Sequence, residues 1–114
     1  MKFVLLIYQP SPFDPKSLPE QEYKEISEAY AAVASTTNVT PGLPLGIPEN
    51  AVTVRVVDNK ITASKGPHIS HAGAVGGYFV FDAESIEQAV QLAARVPAAR
   101  LGGAIEVRPC ETYW

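Results

Sequence analysis

The spacing of apolar residues along the chain predicts the element order β-α-β-β-β-α-β. Residues 3–8, Phe3-Val4-Leu5-Leu6-Ile7-Tyr8, are apolar at both odd and even positions, as in a central strand with both faces covered. Four prolines between Pro10 and Pro19 bar regular structure up to about Leu18. Ser17-Leu18-Pro19-Glu20 matches a capping box, with Ser17 as N-cap and Glu20 at N3. Tyr23, Ile26, Tyr30, Val33 and Ala34 then recur at helical spacing, and the helix fades at Ser35-Thr36-Thr37-Asn38. Residues 38–50 hold three prolines and two glycines and read as a loop.

Period two returns at residues 51–57, with Val52, Val54 and Val56 on one face and Thr53, Arg55 and Val57 on the other. Asp58-Asn59 makes a two-residue hairpin turn, and residues 60–64 run back as a strand. After the Gly66-Pro67 loop, residues 75–81 form another apolar strand. Ser85-Ile86-Glu87-Gln88 is a second capping box. It opens a helix that buries Ile86, Ala89, Val90, Ala93 and Val96 and stops at Pro97. Gly102-Gly103 turns the chain into a last strand at residues 104–108. Two helices cover one face of an antiparallel sheet, so the other face of two doubly apolar strands is left bare. A second copy packed sheet to sheet resolves this, which predicts a homodimer through the sheet face.

The length of 114 residues predicts a single α+β domain spanning 1–114, and the apolar share of 46% argues against disorder. The net charge is −3 and the basic residues are scattered, which argues against nucleic-acid binding. The apolar run at residues 3–8 is too short for a membrane span or signal peptide. Cys110 is the only cysteine, which fits a reducing compartment and a cytoplasmic protein. Gly76-Gly77 begins a strand and carries no phosphate-loop pattern, so it reads as a bulge or a close backbone approach. No motif calls for a nucleotide, flavin or haem, and no cofactor is expected.

The candidate chemistry centres on Lys65-Gly66-Pro67-His68-Ile69-Ser70-His71-Ala72-Gly73. His68 and His71 are the chain's two histidines and the side chains suited to proton transfer near neutrality. They read either as a catalytic acid–base pair or as two surface histidines on a loop. Asp14 and Glu106 are the carboxylates available to orient a ring. A metal variant of the His-x-x-His spacing needs a further ligand such as Cys110 or Glu106, and no second short-spaced ligand pair exists, so no metal is expected. Arg55 and Arg108 lie on strand faces opposite the apolar rows and are candidates to hold an anionic substrate. Their alternative is structural pairing, as of Arg108 with Glu106. Tyr8 and Tyr78 are candidates to line a cleft, or else core and interface residues.

Several segments in order resemble the YCII-related family, in particular its DGPF branch. They are Lys2-Phe3-Val4-Leu5-Leu6-Ile7-Tyr8, Ala51-Val52-Thr53-Val54-Arg55, Gly66-Pro67, Gly76-Gly77-Tyr78-Phe79-Val80, Glu87-Gln88-Ala89, Ala93-Ala94-Arg95-Val96-Pro97-Ala98 and Glu106-Val107-Arg108-Pro109. The resemblance implies a ferredoxin-like fold that dimerises through its sheets, as in dimeric α/β barrels. Relatives include small enzymes acting on aromatic or lactone compounds, among them a dehydrochlorinase. The branch's charged Asp-Gly-Pro-Phe-Ala-Glu-Thr-Lys-Glu tract is replaced here by residues 65–73 with their two histidines. The histidine that enzyme-like members carry near the first helix has no counterpart. Two functions are therefore expected as alternatives. One is a cofactor-free acid–base enzyme, an isomerase or lyase on a small cyclic or aromatic metabolite. The other is a non-catalytic dimeric module that binds a small molecule or a regulatory partner.

Overall fold

The computed structural model describes residues 1–10, 14–69 and 74–114. The elements are β1 (Lys2–Gln9), α1 (Glu20–Ala34), β2 (Val39–Pro41), β3 (Val52–Val57), β4 (Lys60–Lys65), β5 (Ala74–Asp82), α2 (Ile86–Ala93) and β6 (Ala104–Pro109). Four strands form an antiparallel sheet in the order β2-β5-β1-β6, and β3 pairs only with β4 in a separate ribbon. This is an α+β, ferredoxin-like arrangement with a hairpin set between its second and third sheet strands. The three-residue β2 adds one strand to the expected order. It borders β5 at Val39↔Phe81 and Pro41↔Phe79 inside the stretch expected to be a loop.

The register sorts side chains cleanly. Phe3 faces Phe81 and Leu5 faces Phe79 across β1 and β5, while Leu5 faces Val107 and Ile7 faces Ile105 across β1 and β6. These residues turn toward the helices and meet Val33, Ala89, Leu92, Ala93 and Val96 in one core. Ile86 and Val90, expected on the buried face of α2, are exposed, and Leu92 takes the core position instead. The opposite face carries Val4, Leu6 and Tyr8 from β1. Leu6 lies between Tyr78 and Glu106, and Val4 between Val80 and Arg108. No described element covers this side.

Three local features explain how the elements begin and bend. Ser85 Oγ accepts from the Gln88 amide at 3.2 Å, while Gln88 Oε1 accepts from the Glu84 amide at 2.7 Å, one residue earlier than in a standard box. Ser85→Ala is therefore expected to cost about 1 kcal/mol of stability, read from urea unfolding; an unchanged midpoint would contradict the cap. The expected Ser17 cap is not formed. Asp14 caps a 3-10 turn at Pro15–Ser17, and α1 starts after Pro19 with no side-chain cap bond. The prolines fix this entry more strongly than the serine's preference does. At Gly76-Gly77 the β1–β5 register shifts, with Ile7 opposite Gly77 and Tyr8 opposite Val75, which is a bulge.

A cleft at the rim of the sheet

The bulge and the ribbon base together shape a cleft of about 520 Å³, within the usual range of about 300–1,000 Å³ for small-molecule sites. Its described walls are Tyr8 and Val75 from the open sheet face, residues 45–48 with Asn50 and Ala51, and Pro67, His68 and Ile69 beyond the ribbon. Among these, only Tyr8, Asn50 and His68 present polar side chains.

Backbone hydrogen bonds hold each wall. The segment before the 3-10 turn runs along β5, with the Gly42 amide donating to the Tyr78 carbonyl and the Leu45 amide to the Gly76 carbonyl, both at 2.9 Å. Gly42 is required there, because a Cβ would stand 2.6 Å from the Tyr78 ring and 2.8 Å from its carbonyl oxygen. The 3-10 turn at Pro48–Asn50 then sets Ile47 and Asn50 toward the cleft lining. On the far wall, Gly66 adopts φ 105°, a left-handed value that favours glycine. Its amide donates to the Ala51 carbonyl at 2.7 Å, and its own carbonyl accepts from Thr53 Oγ1 at 2.7 Å. These bonds aim Pro67 and His68 at the cleft.

Of the six residues singled out in the sequence, His68 and Tyr8 meet here. Tyr78 sits on the open sheet face with its ring against Gly42, outside the lining. Arg55 is on the polar face of the ribbon opposite Thr62, and Arg108 is beside Val4 on the sheet; both are exposed and neither lines the cleft. No ion pair joins Arg108 to Glu106 among the described residues. His71 lies outside the described residues. Asp14 spends its carboxylate on the Lys16 amide at 2.9 Å. Neither it nor Glu106 lines the cleft. Among the described residues no group of three His, Cys, Asp or Glu side chains gathers as a metal would need. Likewise, no helix there is long and apolar enough to cross a membrane.

Leu45, Ile47, Pro48 and Ile69 are cleft residues that motif reading passes over. For Leu45 and Ile47 the signal is the alternation of Leu43, Leu45 and Ile47 with Pro44, Gly46 and Pro48, an apolar periodicity unusual for a solvated loop. No curated protein matches the chain by sequence. The YCII-related domain, by contrast, matches residues 1–112 from the first strand of the sheet to the last, and the chain belongs to the YCII-related family.

Proposed function

We propose that the protein is a homodimer, joined through the open sheet face, that binds a small, uncharged cyclic or aromatic compound in the rim cleft. The lining carries this reading. Apolar walls from Leu45, Ile47, Ile69 and Val75 suit a ring, and Tyr8, Asn50 and His68 supply the few polar contacts that orient one. Neither candidate arginine is in the described lining, so no guanidinium or ammonium group among the described wall residues pairs with an anion.

The dimer is supported by the shape of the chain. A folded 12.2 kDa monomer exposes about 6,100 Å² by the usual size scaling. This chain exposes 8315 Å², an excess of roughly 2,200 Å² over that expectation. Its radius of gyration is 16.0 Å, against about 13 Å for a compact chain of this length. Val4, Leu6, Tyr78 and Val80 on the open face, flanked by Glu106 and Arg108 of β6, supply apolar surface for a partner. Cys110, the lone cysteine, keeps the cytoplasm as the proposed compartment.

A ligand-detected NMR screen of phenols and lactones tests the cleft. Ile47→Arg is expected to remove binding of every hit, and His68→Ala to weaken it about fivefold, the loss of one hydrogen bond. Hits that bind Ile47→Arg as well as the parent sink the proposal. The position of His68 in the wall also favours a second reading, cofactor-free proton transfer as in an isomerase or lyase. As an isomerase's base, the imidazole takes a proton from one atom of the bound ring and returns it at another. In a lyase, the freed electron pair becomes a double bond as the leaving group departs from the neighbouring atom, and the imidazolium gives its proton to that group. Conversion of a hit that disappears in His68→Ala while binding persists supports that reading. Conversion that survives in His68→Ala ends it.

A further inference from the structure

The β3–β4 ribbon is amphipathic, and among the described residues no strand of the sheet pairs with it and its apolar side chains stay exposed. Val54 and Val56 pair with Ala63 and Ile61 across the ribbon and share a face with Val52, which pairs with Lys65 at the ribbon base. Thr53, Arg55, Val57, Lys60, Thr62 and Ser64 form the other, mainly polar face. The apolar side chains remain open to solvent, Val52 at 63%, Val54 at 60%, Val56 at 65% and Ile61 at 77%. Neither strand hydrogen-bonds to the four-stranded sheet. The Asp58-Asn59 turn, with φ 51° and 63°, is well made, but a two-stranded ribbon in water is marginal without a surface against its apolar face.

We infer that this ribbon is an intersubunit arm whose Val52, Val54, Val56, Ile61 and Ala63 face packs on a second copy of this chain. The inference rests on the dimer proposed above and adds a surface to it. Area identifies the occupant. In plan, the open face of a four-stranded sheet about 20 Å long covers roughly 400 Å². A stable interface takes about 800 Å² from each partner. An apolar ribbon face of the same length covers about 200 Å². In a symmetric dimer each copy both lends an arm and receives one. With the received arm landing beside the sheet face, the two arms add about 400 Å² in plan to each partner's contact, about as much as the sheet itself. The two surfaces are also continuous. The cleft walls run from Tyr8 and Val75 on the sheet to Ala51, Pro67 and His68 at the ribbon base.

The test is the dimer dissociation constant of the intact protein and of the Val54→Glu, Val56→Glu double variant, by sedimentation equilibrium. Both positions are exposed within the chain, so the monomer fold should persist by circular dichroism. Two carboxylates forced into an apolar contact are expected to weaken the dimer about a hundredfold or more. A dimeric parent with an unchanged constant in the variant overturns the arm and leaves the sheet-face dimer standing. A monomeric parent at tens of micromolar overturns the dimer and the arm together. If the double variant misfolds, isotope-filtered NMR on a mixed-label parent decides. Intermolecular contacts from the Val54 and Val56 methyls support the arm, and their absence in a dimeric sample overturns it.

Discussion

Phe3→Ala is expected to cost about 4 kcal/mol, the range for emptying a buried aromatic site. Phe3 is 2% exposed and lies on the central strand. It faces Phe81 across β5 and Pro109 across β6, so the cavity would open where two strand pairs meet. The core around it cannot easily collapse, because Ala89 and Ala93 of α2 and Val96 beyond it are already buried in the same core with small side chains. Set against a total of about 5–15 kcal/mol for a domain, the loss leaves a marginal protein. Urea unfolding at fixed protein concentration measures it, since association shifts apparent stability. Paired with Phe81→Ala, a double-mutant cycle should return a coupling of about 1 kcal/mol from the cross-strand aromatic contact. A loss below about 1 kcal/mol for Phe3→Ala would mean the site is not packed as described.

Gly103→Ala is expected to be nearly as severe, at about 3 kcal/mol, through overpacking rather than a void. A Cβ at this position overlaps the carbonyl oxygen of Tyr8 and stands 3.0 Å from that of Ala98. Both neighbours are backbone, and neither can rotate away. The Gly103 amide also donates to the Ala98 carbonyl at 2.9 Å, tying the 3-10 turn at Pro97–Ala99 to the start of β6. Relief of the clash has to come from moving β1 or β6, and β1 carries Tyr8 into the cleft. Thermal unfolding should therefore fall together with ligand binding. An alanine variant with parental stability would contradict the close approach of Gly103 to the Tyr8 carbonyl.

Most of the sheet could be read from the pattern of residues. The doubly apolar run at residues 3–8, the alternation at residues 51–57 and the glycine pair at Gly76-Gly77 each translate directly into a central strand, a ribbon strand and a bulge. Those signals are local. Strand β2 escaped because three residues ending in Pro41 carry too little periodicity, and its existence depends on the edge that β5 offers. The detachment of the ribbon escaped for a related reason: alternation specifies a strand's faces, not the sheet it joins. Ser17 failed as a cap where flanking prolines dictated the backbone, whereas Ser85, without them, succeeded. For the site, sequence chemistry singled out six side chains, of which Tyr8 and His68 are brought together. The faces of Arg55 and Arg108 were read correctly, but one stands on the ribbon and the other on the far strand of the sheet. Distance between them is a product of topology, which no spacing rule contains.

That topology also bears on how the protein is made. The central strand is synthesised before both of its partners, residues 74–82 and 104–109. Synthesis must pass about seventy residues before β1 has any neighbour, and almost the whole chain before it has both. At about 5–20 residues per second, an apolar segment with two sticky faces waits unpaired for several seconds. Because the sheet closes through distant contacts, its pairing is slow, which adds to the time the strand stays exposed. Slowing translation after β1 would lengthen its exposure and favour aggregation.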